Sequence, residues 1–307
     1  MTVERQIHAA AAELVAPGCR IDQVHPFRIS PCPFPAELLL TTAAGPMACV
    51  VKTAPAGAGR LGIEAAALDA MSQIGFDAPR VLAGPQTVQT DSGPVEVLVM
   101  TRLPGQPLPW IRVSDVAILD RTCRLLFEAI ERLHSLTEWV MGLPVAEKLA
   151  QRTLEQELAD VMAQDSPWVA TQLFQEAVDV LQHHLPRHQL PPVFSNGDYN
   201  PLNVLNDDAG LTGWVDFEHA GFEDPLIGFP KFLFWSDDSG WRLASQISLV
   251  ERYLYRHRVM PATFAVRVVL RGLTHLHDTT TTDPSTVMIN TIQHAMTTLH
   301  EARSSRS

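Results

Sequence analysis

The feature that most limits the folds open to this chain is a change of texture at Arg102–Pro109 (RLPGQPLP), a connector rich in proline and glycine. Before it, short runs of apolar and β-branched residues (QVHPFRIS, AELLLTT, MACVVKT, QTVQT, VEVLVM) are separated by Pro, Gly and the tripeptide Asp91-Ser92-Gly93. That is the pattern of antiparallel strands joined by tight turns. After it, apolar residues recur at helical spacing, and strand signals nearly vanish until Val193. Two compact units are expected, residues 1–102 and 103–307, and a chain of 307 residues is long enough for both.

Helix signals fill in this outline. Ahead of the connector, a helix starts at the N-cap Thr2 and stops before Pro17 and Gly18. Another runs through GRLGIEAAALDAMSQIG, with Ile63, Ala66, Ala67, Ala70 and Met71 on one stripe and Gly75 as its stop. Beyond the connector, the spacing predicts helices over Ser114–Leu136, Pro144–Asp165, Ser166 to about His184, Ser239–His257, Pro261–Asp278 and Asp283–Ala302.

Composition narrows the partners. Hydrophobic residues make up 46% and charged residues 19%, an ordinary globular mix, and the net charge of −11 argues against nucleic acid, which requires a basic footprint. A cationic small molecule is compatible with that charge, although many acidic proteins bind none. Cys19, Cys32, Cys49 and Cys123 are far apart with no C-x-x-C pair, so reduced thiols are expected rather than zinc or disulfides. No apolar window is long enough for a membrane span, and the N-terminus reads as an amphipathic helix, not a signal peptide. A cytoplasmic monomer or homodimer is the expectation.

The chemistry is concentrated in Phe194–Trp235, FSNGDYNPLNVLNDDAGLTGWVDFEHAGFEDPLIGFPKFLFW. Asp198 alone would read as part of an Asx turn, because N-G-D-Y-N-P is rich in turn formers. Turn composition does not, however, require Asn203 five positions later, then a strand and a second acid at Asp216. A carboxylate, an amide and a carboxylate on two loops joined by a hairpin suit phosphoryl transfer. One acid takes a hydroxyl proton, while the amide and the second acid hold Mg²⁺ on a nucleotide's phosphates. Glu218, two residues on along an extended segment, is expected on the same side as Asp216, as a ligand of a second metal or equally as an exposed strand-end acid. Glu223, Asp237 and Asp238 follow, and acids so placed could line a cation-accepting cleft or simply cover a helix surface.

The pattern D-x-x-x-x-N, then an apolar strand ending in D-F-E and a trailing Asp224-Pro225, resembles the aminoglycoside phosphotransferase and choline kinase-like family, relatives of the protein kinases by fold. The resemblance implies an α+β, two-lobed, protein-kinase-like fold. Its N-lobe would be a small antiparallel sheet with one main helix, and its larger C-lobe mostly helical. It implies an ATP-dependent kinase, ATP or another nucleoside triphosphate being the donor and Mg²⁺ the cofactor. The acceptor would be a hydroxyl on a small molecule such as an aminoglycoside or another amino-bearing alcohol. Asp198 would be the catalytic base, with Asn203, Asp216 and Glu218 on the metal side. Lys52 would reach the phosphates, held by Glu64, and backbone groups at Met100, Thr101 and Leu103 would meet the adenine edge. Asp224 and His134 would brace structure.

Two departures stand out. Asn196 occupies a position where the family usually has His, and an amide can hydrogen-bond in its place. No glycine-rich loop precedes Lys52: HPFRISPCPFP has no glycine, which leaves Ser30 or ordinary backbone amides to cover phosphates. These departures motivate a rival, a kinase-like protein that binds without turnover. A weaker rival, a dinucleotide-dependent oxidoreductase, rests on the literal G-x-G-x-x-G of Gly57–Gly62. The residues from Lys52 to Ala56 intervene between the strand and that motif, and no alternating series of strands and helices follows it. His183, His184 and His188 lack acid or Cys partners at ligand spacing and read as a helix end.

Overall fold

The computed structural model describes residues 2–27, 34–109, 115–234, 241–278 and 286–304. The predictions that fall on Ser30, on Ser114 as an N-cap, on Asp237 and Asp238 as cleft-lining acids, and on the starts of two helices at Ser239 and Asp283 lie outside these residues. The chain divides into two compact units. The first comprises Met1–Leu108, Leu136–Ala150 and Asn196–Gly221, and the second Pro109–Ser135, Gln151–Ser195 and Phe222–Ser307.

The first unit is built on a five-stranded sheet of β1 (Arg20–Pro26), β2 (Ala36–Thr42), β3 (Gly45–Pro55), β4 (Val81–Thr90) and β5 (Gly93–Thr101), in the order β1-β2-β3-β5-β4. Every pairing is antiparallel. β3 runs on to Pro55, so Lys52–Pro55 belong to the strand and, contrary to expectation, do not separate it from Gly57–Gly62. The helix Arg60–Gln73 nevertheless crosses from β3 to β4 with β5 lying antiparallel between them. A sheet with no adjacent parallel strands does not accommodate the dinucleotide fold that Gly57–Gly62 superficially suggests. Alternation sorts the side chains onto two faces. Leu38, Leu40, Cys49, Val51, Val97 and Val99 form a core with Ile7, Ala11 and Ala12 of α1 (Val3–Val15), whose N-cap Thr2 accepts from Arg5 N–H. The opposite face carries Val50, Lys52, Leu98 and Met100, which are register partners across β3 and β5. Against Lys52 lies α2 (Arg60–Gln73), an alanine-rich helix that Gly75 stops at φ +69°. Phe76 N–H then closes back on Met71 O at 2.9 Å.

Later in the chain, β7 (Val204–Asp207) and β8 (Gly210–Trp214) form an antiparallel hairpin flanked by β6 (Gln106–Pro107). Asp207 shapes the turn by accepting from Ala209 N–H and Gly210 N–H at 2.8 and 3.2 Å. Gly213 is required here: a Cβ would meet Asp77 O at 2.6 Å, where Trp214 N–H bonds the same carbonyl at 3.0 Å.

The second unit is helical: α3 (Val116–His134), α4 (Leu154–Ala163), α5 (Gln172–His184), α6 (Trp241–Arg256), α7 (Pro261–Asp278) and α8 (Thr286–Ser304). Asp115 is the N-cap of α3, accepting from Ala117 N–H at 2.8 Å. Buried Leu270, Leu273, Leu276, Ile292 and Leu299 join α7 to α8, and Gly272 allows the close approach, since a Cβ there would meet Ile292 at 2.4 Å. The expected helix over Pro144–Asp165 is corrected. Pro144–Lys148 is a 3₁₀ turn and Leu149 is extended, and α4 begins only after Thr153, whose capping box with Gln156 fixes the new start. The helix expected from Ser166 likewise opens as a 3₁₀ turn, Pro167–Ala170, before Thr171 caps α5. Among the described residues no helix is long and apolar enough to cross a membrane.

Candidate active site

The sheet's second face, α2 and the loops around the hairpin bring Lys52, Glu64, Asp198, Asn203, Asp216 and Glu218 into the first unit. Lys52 Nζ donates to both oxygens of Glu64 at 2.8 Å and to Asp216 Oδ1 at 2.5 Å. Glu64 is fully buried, and its Oε1 also accepts from Phe217 N–H at 3.2 Å. A buried carboxylate in this setting requires a paired cation. Burial works against the Lys52 ammonium, but Glu64 and Asp216 outweigh it and hold the lysine above its ordinary value. Burial pushes the Glu64 carboxyl up, opposed chiefly by Lys52.

Asp198 and Asn203 meet across a 3₁₀ turn, Pro201–Asn203, that Asn200 caps by accepting from Leu202 N–H at 3.0 Å. Asn203 Nδ2 donates to Asp198 Oδ2 at 3.1 Å and to Asp198 O at 3.3 Å. Val215 N–H donates to Asn203 O at 2.8 Å, which anchors the strand leading to Asp216 on this turn. Asn196 is buried and bridges both loops. Its Nδ2 donates to Asp198 O at 2.8 Å and Asp216 O at 3.2 Å, and its Oδ1 accepts from Asp198 N–H at 3.1 Å.

The extended segment expected through Asp216 to Glu218 is not there. β8 ends at Trp214, and Asp216 has φ +68°, a left-handed conformation uncommon for a residue other than glycine. The two acids converge through this local turn and not through strand alternation. Ligand atoms of Glu64, Asp216 and Glu218 lie within 4.8 Å of one another. Lys52 bridges Glu64 and Asp216, so a hard cation at this group would be met by the remaining carboxylate oxygens of Asp216 and Glu218. These oxygen donors fit Mg²⁺. Glu218 stands 3.4 Å from His219 Nε2 and 3.8 Å from the Arg60 guanidinium. The hydrogen bond from His219 is the largest influence holding its carboxyl below the usual range.

In the stretch proposed to meet a base, Met100 pairs within the sheet to Val50 and Val81. Thr101 N–H donates to Arg80 O at 2.9 Å, which removes it from the donors available to a ligand. Leu103 O accepts from Arg102 Nη1, and Arg102 Nε stands 3.4 Å from Glu37 Oε1. Sequence reasoning missed Arg60, His219 and Gly197. The positive φ of Gly197, +79°, belongs to the N-G-D turn signal.

Asp224 braces structure in the second unit: Arg267 Nε donates to its Oδ1 at 3.0 Å and Arg267 Nη2 pairs with Oδ2, both side chains being buried. Glu223, considered above as a cleft-lining acid, is buried as well. His184 stacks on His188 and meets His183 edge to face, and the three form no metal cluster among the described residues.

Residues 36–265 match the model of a family described as the phosphotransferase enzyme family, APH. No curated protein matches the chain. Solved structures with the same fold include a microcompartment-associated aminopropanol kinase, at TM-score 0.62 and 17% identity over 97% of this chain and 98% of that one. A thermostable mutant of the aminoglycoside phosphotransferase APH(4)-Ia, in a ternary complex with ADP and hygromycin B, matches at 0.59 and 13% over 92% and 93%. Choline kinase LicA from Streptococcus pneumoniae matches at 0.53 and 14% over 97% and 99%. The fold is the α+β, kinase-like one.

Proposed function

Because this chain belongs to the phosphotransferase enzyme family and is a phosphotransferase acting on an alcohol group, we propose that it transfers the γ-phosphoryl of ATP to a hydroxyl of an amino-bearing small molecule. The observation that carries this reading is the Lys52 ammonium gripped by Glu64 and Asp216, with Asp198 and Asn203 tied to the same loop. The three structural relatives support the acceptor class, since choline, aminopropanol and hygromycin B each combine an amino or ammonium nitrogen with at least one hydroxyl.

In this reading Asp198 accepts the acceptor's proton as its oxygen forms the new bond to phosphorus and the bond to the β-phosphate oxygen breaks, releasing ADP. Asn203, through Nδ2, orients the Asp198 carboxylate. Asn203, Asp216 and Glu218 would hold Mg²⁺, which when bound would neutralise charge on the transferring phosphates. Lys52, prepositioned by two carboxylates, receives the α- and β-phosphates. Residues 1–102 supply nucleotide contacts, and 103–307 supply the base, the metal ligands and acceptor recognition. Free Cys19, Cys49 and Cys123 support a reducing, cytoplasmic setting.

Purified protein given Mg-ATP and a panel of amino alcohols, choline and aminoglycosides is expected to yield a phosphorylated acceptor by mass spectrometry. The second reading, binding without turnover, is favoured by the glycine-free segment before Lys52. It predicts no product and no stabilisation by Mg-ATP, whereas a nucleotide-binding kinase should be stabilised by about 2.7 kcal/mol at 100 times the dissociation constant. Product together with stabilisation would remove the second reading.

A further inference from the structure

Two loops that the sequence separates by a hairpin are joined by one buried side chain. Asn196 uses both amide hydrogens and its oxygen, donating to Asp198 O at 2.8 Å and Asp216 O at 3.2 Å and accepting from Asp198 N–H at 3.1 Å. Beside it the backbones touch. A Cβ on Gly197 would lie 2.3 Å from His219 O and 2.6 Å from His219 Cβ, so the space between the loops admits glycine alone. On the far side of the turn, Val215 N–H holds Asn203 O at 2.8 Å. Asp216 meanwhile sits at φ +68°, a conformation that persists when its surroundings fix it, and the Asn196 amide holds its carbonyl.

We propose that Asn196 is a positioning residue that locks the loop carrying Asp198 to the loop carrying Asp216, so that both carboxylates keep one register and shift only together. The roles of the two acids rest on the phosphotransfer reading above, whereas the lock is a mechanical property that can be measured without turnover. A side chain bonded to one loop alone would order only that loop. Asn196 bonds to both, and it cannot loosen one without releasing the other.

Hydrogen exchange of the full-length protein, read by mass spectrometry, tests the lock directly. Asn196→Ala is expected to accelerate exchange at least fivefold in peptides covering both 197–203 and 215–219. The peptide covering α2 should be unchanged, whereas a merely structural role would raise exchange there too. Should alanine prevent folding, the isosteric Asn196→Asp removes both donors while keeping the acceptor, and it should give the same paired response. Acceleration in one segment only, in neither, or equally throughout α2 overturns the proposal. With an active wild type, either variant should also lower kcat by at least tenfold and weaken Mg-nucleotide binding together, and a loss of one alone contradicts the lock. If the wild type lacks phosphotransfer activity, the functional reading fails and the exchange experiment still decides the lock.

Discussion

At the scale of single residues, Lys52 and Glu64 make the sharpest stability claim. Removing the ammonium leaves a fully buried carboxylate without its cation, so Lys52→Met is expected to destabilise the protein by about 3–5 kcal/mol in urea unfolding. Adding Glu64→Gln should restore some of that loss, and an additive double variant would contradict the coupling. The sign of the pH dependence follows from the raised lysine. Its contribution is fully present below the ordinary lysine value, about pH 10, and disappears as pH rises through the higher folded value. The spacing of Asp198, Asn203 and Asp216 was legible in the sequence because few structural needs place an amide and two acids at those offsets. The turn at Asp216 was not, because alternation along an apolar strand gives no sign that β8 ends two residues earlier.

At the scale of elements, α1, α2 and the five strands were readable because their apolar periods and stops agree: Thr2 at one helix start, Gly75 at one helix end and Asp91-Ser92 in a two-residue loop. The helix expected over Pro144–Asp165 failed where local capping overrode continuous apolar spacing. The available signal was the T-x-x-Q of Thr153–Gln156, whose reciprocal bonds measure 3.2 and 3.0 Å. Thr153→Ala should therefore cost about 1 kcal/mol, read as a lower urea midpoint with unchanged slope. No loss would mean that α4 is fixed by packing alone.

At the scale of the whole molecule, the strand-rich and helix-rich halves were legible from texture. The membership of Asn196–Gly221 in the first unit was not, since it depends on contacts such as Lys52 to Asp216 that span more than half of the chain. Acid stability belongs to this scale. Burial, then the neighbouring His257, lowers His134 in α3 to about 4. Between that value and the ordinary 6.5 the unfolded chain binds more protons than the folded one, so stability should fall as pH drops through this window, by up to about 3 kcal/mol. The urea midpoint of wild type should fall relative to that of His134→Leu on acidification through this window, and parallel curves would assign the acid sensitivity elsewhere. Function also belongs here, because transfer requires base, cation and metal donors at once. The most direct measurement is ADP release from Mg-ATP with an accepted amino alcohol, for wild type and Asp198→Asn side by side at matched nucleotide occupancy. The account predicts a loss of at least about 10² in kcat with nucleotide affinity retained. Equal rates in the two proteins would contradict it.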